Sequence, residues 1–179
     1  MSAQKSTRVC AARLLVSAGT DTMIPVTEHD LQSALIVGRV LAYAQGVGIL
    51  AAGSTEFNWS LDFARIAEIW HAGCIIRLAM LDDIATAFRS AHPAGHLALS
   101  AHFMPVLTAH IAGLRRVVSA AALKGLLMPA LAAALSWFDM IRQERGASDL
   151  IQAQRDYFGA HSFERVDAEG SHHGPWYAG

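Results

Sequence analysis

Leu150-Ile-Gln-Ala-Gln-Arg155-Asp-Tyr-Phe-Gly159-Ala-His161-Ser-Phe-Glu164 is the most informative stretch of the chain. It predicts a short helix that ends at Gly159, because glycine enters the left-handed cap conformation without a Cβ penalty. Arg155 falls in the predicted last turn, where the helix macrodipole favours a cation, and its guanidinium offers a rigid fork of donors suited to phosphate or carboxylate. His161 follows the cap on a segment predicted to be extended. Together Arg155 and His161 form a candidate anion grip.

Working outward, the apolar pattern around this stretch is helical throughout. Thr27 is a suitable N-cap for a helix that opens with Glu28 and Asp30 and runs to about Ala52, where Gly53-Ser54 is predicted to break it. Ser60 is predicted to cap the next helix, in which Phe63, Ile66, Trp70 and Cys74 recur at helical spacing as a buried stripe. His92-Pro-Ala-Gly-His96 reads as a loop. Two apolar helices follow, one from about Pro105 to Lys124 with Gly125 as its cap, and one from about Pro129 to Gly146. Ser148 or Asp149 is the predicted cap of the last helix. The fold class is all-α, with no strand pattern. Residues 1–27 form a leader without defined structure, 28–166 the helical domain, and 167–179 a tail without a core of its own.

The chain has 179 residues, enough for one domain with a sizeable core. Its composition is 53% hydrophobic and only 16% charged, below the roughly 25% charged of ordinary soluble proteins, which implies apolar surface covered by a partner chain. A net charge of −1 provides no field for attracting nucleic acid or an acidic membrane. The most apolar runs, Val40 to Gly53 and Gly125 to Phe138, are each about 14 residues long, short of the roughly 20 a membrane helix needs. Cys10 and Cys74 read as free thiols in a reducing, cytoplasmic setting.

Arg77 lies three residues after Cys74, among Ile75, Ile76, Leu78 and Ala79. An unpaired charge in such surroundings costs several kcal/mol, so Arg77 requires a carboxylate or a bound anion. Gly46-Val-Gly48-Ile-Leu-Ala51 fits a dinucleotide fingerprint by spacing only. It lies late in a helical segment, whereas the fingerprint needs a strand before it and a helix N-terminus after it. The histidines show no four-ligand spacing, so no metal site is expected.

The run Leu150 to His161 closely resembles the C-terminal signature of decarboxylating 6-phosphogluconate dehydrogenases. Trp70-His-Ala-Gly-Cys-Ile-Ile-Arg77 resembles a second segment of that family, and Tyr43-Ala-Gln-Gly46 and Arg115-Arg116 extend the similarity from about Glu28 to about Trp176. The resemblance covers the family's helical C-terminal domain alone. It implies that Arg77 of one subunit binds the phosphate of 6-phosphogluconate, with Arg155 and His161 reaching in from the partner of a homodimer. His71-Ala72 stand where the family has Arg-Gly, Phe163 stands for a tyrosine, and a phosphate-binding lysine has no matching position between Thr27 and Glu28.

In the complete family enzyme, NADP accepts a hydride from the sugar acid, which then loses carbon dioxide to give ribulose 5-phosphate. The Rossmann domain and the catalytic lysine and asparagine have no counterpart in these residues, so the resemblance implies no NADP bound by this chain alone and no dehydrogenase activity on its own. Three readings follow. The chain complements a separate cofactor-domain chain, it is a phosphosugar-binding or dimerisation module, or it is a degenerate remnant.

Overall fold

The structure, a computed structural model, describes residues 4–15, 23–73, 80–90 and 96–177. Seven α-helices lie within them: α1 (Lys5–Leu14), α2 (Glu28–Glu56), α3 (Phe63–Gly73), α4 (Met80–Arg89), α5 (Phe103–Leu123), α6 (Pro129–Ile141) and α7 (Ser148–Gly159). The all-α class is therefore as predicted. The chain divides into two compact units, Met1–Leu135 and Ser136–Gly179, the division falling within α6.

The first unit is built on α2 and α5, which pack along a shared buried face formed by Val37, Leu41, Leu114 and Val117. At one end of that face Asp30 joins the two helices. Arg116 donates from Nε at 2.8 Å and from Nη2 at 2.6 Å to Asp30 Oδ1. Thr27 donates its main-chain N–H to Oδ2 at 3.0 Å, and the Asp30 N–H donates to the Thr27 hydroxyl at 3.1 Å. This is a reciprocal capping box with aspartate as its acid. The same carboxylate thus starts α2 and ties it to α5. One turn further on, the Ser33 hydroxyl lies 2.9 Å from His110 Nδ1.

Several helix ends differ from prediction for identifiable reasons. α2 passes through Gly53 to Glu56, because Gly53 serves a contact rather than a break. A Cβ there would lie 3.2 Å from the Trp59 ring. Asp62, not Ser60, caps α3, its Oδ1 accepting the Arg65 N–H at 3.0 Å, while Ser60 is in a left-handed turn with φ 52°. In α3 the buried positions are Ala64 and Ala67, whereas Trp70 is 38% exposed. Cys74, Arg77 and His92 to Gly95 lie outside the described residues. His71, standing where the resemblance has arginine, approaches Asp82 of α4 at 2.9 Å, and Glu68 pairs with Arg65 and Arg89.

Lys5–Leu14, within the segment read as a leader without defined structure, is helical, with Cys10 a free and exposed thiol. α5 ends as predicted at Gly125, with φ 67°. The Leu126 N–H donates to the Ala121 carbonyl at 2.9 Å and the Gly125 N–H to the Ala122 carbonyl at 3.2 Å, which is a Schellman motif. By length and composition α2 and α5 could each cross a membrane. Of the two apolar runs read as too short, Val40 to Gly53 lies in α2 and Gly125 to Phe138 reaches into α6, so α5 as a helix of membrane-crossing length is a correction. Core helices satisfy the same criterion, and these two share a buried face.

Candidate functional site

The second unit carries the signature stretch. α7 begins at Ser148 after Ala147, which makes no side-chain cap bond, so neither Ser148 nor Asp149 is the cap; Asp149 instead accepts from Arg145 Nη2 at 2.6 Å. The helix ends at Gly159, and the left-handed residue is Ala160, φ 53°, rather than the glycine. Gly159 has a different purpose. A Cβ on it would lie 2.7 Å from His161 Nε2 and 2.9 Å from His161 Cδ2. The histidine ring lies over the helix end, in space that any other residue at 159 would fill.

Beyond His161 the chain does not run on as an extended tail. Ser162 is also left-handed, φ 61°. β1 (Phe163–Glu164) then pairs antiparallel with β2 (Ser171–His172), a two-stranded ladder that the sequence pattern did not announce. After β2 the chain folds back onto α7, so the segment predicted to lack a core has a polar one.

That polar core is Asp156, which has no exposed surface. Its Oδ1 accepts the Ser162 N–H at 2.8 Å and lies 2.6 Å from His173 Nδ1. Its Oδ2 accepts the Gly174 N–H and the Trp176 Nε1–H, each at 2.9 Å. Burial pushes this carboxyl up, but the hydrogen bonds from Gly174, His173, Ser162 and Trp176 outweigh it and hold the group down at about 2. Trp176 in turn packs edge-on against Tyr157, their ring centroids 5.9 Å apart. Sequence reasoning missed Asp156, and it placed His173 in a tail without a core of its own. No local signal marked Asp156, although Gly159-Ala-His161 and Gly174-Pro-Trp176 share a glycine two residues before a ring, and at both a Cβ would strike that ring.

The arginines of this unit differ in their partners. Arg145 is held by Asp149, Arg165 by Asp167, and Arg142 lies 3.8 Å from Asp139. Arg155 donates only to an uncharged group, Gln152 Oε1, at 3.2 Å, and among the described residues no carboxylate pairs with it. It lies one residue before the last turn of α7 rather than within it. Both Arg155 and His161 are exposed. The unit therefore presents one cation whose fork is still available to an anion, and a positioned imidazole a few residues on. The third predicted site residue, Arg77, lies outside the described residues.

The structure provides no cradle for a dinucleotide in the one glycine-spaced stretch. Gly46 to Ala51 lies inside α2, where the backbone N–H groups are engaged in helix bonds and cannot turn toward a pyrophosphate. This stretch does not fit a dinucleotide.

Residues 1–176 match the family model described as 6-phosphogluconate dehydrogenase, C-terminal domain. The match begins before Glu28, so the similarity extends over the segment read as a leader. Similar proteins include a decarboxylating 6-phosphogluconate dehydrogenase of Shigella flexneri, 38% identical over 98% of this chain and 38% of its own length. A chloroplastic decarboxylating 6-phosphogluconate dehydrogenase of Spinacia oleracea is 37% identical over 98% of this chain and 34% of its own length. Among solved structures, a Plasmodium falciparum 6-phosphogluconate dehydrogenase, described in its apo form, with its cofactor NADP+ and with its substrate 6-phosphogluconate, superposes with a TM-score of 0.88 at 34% identity. That superposition covers 96% of this chain and 38% of the other. The chain thus spans a little over a third of the length of the proteins it resembles.

Proposed function

Because the chain belongs to the 6-phosphogluconate dehydrogenase family, through that family's C-terminal domain, we propose that it supplies the substrate-phosphate grip and the dimer core for oxidative decarboxylation of 6-phosphogluconate. Arg155 and His161 of one subunit bind the phosphate together with Arg77 of the other. The observation that carries this reading is the state of Arg155: every other arginine of its unit faces a carboxylate, and it does not. An arginine held for internal stability would have been given such a partner, whereas one kept for phosphate gains its counter-ion from the ligand.

In this reading hydride transfer to NADP is the work of a dinucleotide-binding domain other than this helical one. Gly46 to Ala51 lies inside α2 and is no dinucleotide cradle, which supports a chain that acts with a dinucleotide-binding domain, whether that domain is joined to it or carried by a separate chain. Contacts to a phosphate remote from the reacting carbon orient the substrate; they do not replace the groups that remove its proton and hydride. By itself the chain therefore binds and does not turn over.

Thermal unfolding with and without 6-phosphogluconate tests the proposal, with light scattering to establish the dimer. A ligand present at about 100 times its dissociation constant stabilises the native state by roughly 2.7 kcal/mol. The midpoint is expected to rise with ligand and the rise to vanish in Arg155→Ala. A folded dimer whose midpoint does not move at any ligand concentration overturns it.

A further inference from the structure

One buried residue, Asp156, bonds the backbone on both sides of His161, with its main-chain carbonyl before it and its carboxylate after it. The Asp156 main-chain carbonyl accepts the Ala160 N–H at 2.8 Å, and its Oδ1 accepts the Ser162 N–H, also at 2.8 Å. Those donors belong to the residues immediately before and after the histidine. Both are left-handed, a conformation unfavourable to any residue with a Cβ, so the corner persists only because something holds it. From below, the bare Gly159 leaves the imidazole a seat that a methyl group would close.

Ending a helix requires much less. A single bond from Ala160 back to the Asp156 carbonyl would satisfy a left-handed cap. The carboxylate is additional, and the His173, Gly174 and Trp176 donors engage it in turn, which fastens the final described stretch of the chain to the same corner. An exposed histidine needs no such fixing for the sake of stability. A histidine that must meet an anion does, because a contact ordered in advance loses less freedom when the ligand arrives.

We propose that Asp156 is the positioning residue for His161 and that His173, Gly174 and Trp176 brace it. Asp156 does not touch the ligand; its carboxylate acts through the backbone of Ser162, the Ala160 bond being to its main-chain carbonyl. The inference rests on the reading of Arg155 and His161 as an anion grip.

The test is a double-mutant cycle in the full chain, with 6-phosphogluconate titrated calorimetrically into native protein, Asp156→Asn, His161→Asn and the double variant. Ligand-free NMR of the His161 imidazole accompanies each. Asp156→Asn is expected to weaken binding about tenfold in the native background and to have no further effect once His161 is gone. An equal loss in both backgrounds would show that Asp156 serves the fold and not His161, and would overturn the proposal.

Should native protein bind no 6-phosphogluconate, the anion-grip reading fails by itself, and the imidazole resonances still decide this one. They are expected to shift and broaden in Asp156→Asn; resonances unchanged from native sink the idea. If Asp156→Asn does not fold, Trp176→Phe takes its place, keeping an aromatic ring while removing one of the donors that brace the carboxylate. Shifted His161 resonances in that variant support the brace, and native-like ones overturn it.

Discussion

A methyl group on Gly113 of α5 would lie 2.5 Å from the Cβ of Ser33 on α2. The two helices meet so closely here that the Asp30 carbonyl oxygen is also within 3.3 Å of that added atom, and the bond between Ser33 and His110 sits one turn away. The obstacle is Cβ and backbone, which cannot swing aside as the end of a long side chain can. Gly113→Ala is therefore expected to destabilise the first unit by about 1–3 kcal/mol, the usual cost of overpacking a close contact. Urea denaturation followed by circular dichroism reads the loss directly.

Acid should act on the same helix pair through Asp30. Hydrogen bonds from Arg116 and then from Thr27 hold its carboxyl well below its ordinary value of 3.8. Its folded-state pKa is depressed, so its contribution is fully present above 3.8 and is lost progressively as the pH falls below that value. The melting temperature of native protein is expected to fall through this range, and Asp30→Asn to give a lower but flatter profile. Arg116→Ala should flatten the acid limb only in part, since the largest cause of the depression is gone while the Thr27 hydrogen bonds remain.

Asp156 gives the second unit its own acid response. Its carboxyl is held down at about 2 against an ordinary 3.8, so its grip on the tail is complete above 3.8 and released as the pH falls through about 2. Trp176 reports the release, because its indole N–H leaves the carboxylate. Fluorescence of native protein minus that of Trp176→Phe should change across this interval. A difference signal that stays flat down to complete unfolding would mean that the carboxylate does not hold the indole.

Arg155 can be probed by shape as well as by charge. Arg155→Lys keeps the cation and loses the two-pronged fork, so ligand-induced stabilisation by 6-phosphogluconate is expected to shrink without vanishing, whereas Arg155→Ala abolishes it. Neither change should cost the ligand-free protein more than about 0.5 kcal/mol of stability, because the side chain is exposed and bonded only to Gln152.

Gly125 occupies the left-handed C-cap of α5 with φ 67°. Gly125→Ala has open space for its methyl group and still pays for the backbone conformation, an expected loss of about 1 kcal/mol. The midpoint of thermal unfolding measures it. No change would mean that the cap had moved elsewhere.

The sequence by itself determined what depends on neighbours within about one helical turn. Thr27 and Asp30 are three residues apart, and their capping box, like the Gly125 cap, follows from local hydrogen bonding and backbone preference. The helical class followed from such signals repeated along the chain, and the family from the resemblance carried by the run around Arg155 and by Trp70 to Arg77. Where local rules failed, a distant contact had taken precedence. Gly53 does not break α2 because its missing side chain makes room for the Trp59 ring, and Gly159 is not the left-handed residue because its missing side chain makes room for His161.

Only the tertiary structure decided the state of Asp156. In sequence it is one more acid on an exposed amphipathic helix, beside the arginine that draws attention. It is buried because His173, Gly174 and Trp176, 17 to 20 residues later, return to it with their donors. A charge can leave water only where enough hydrogen bonds replace its hydration. The number of those bonds is a property of how the chain closes on itself, and no local pattern records it.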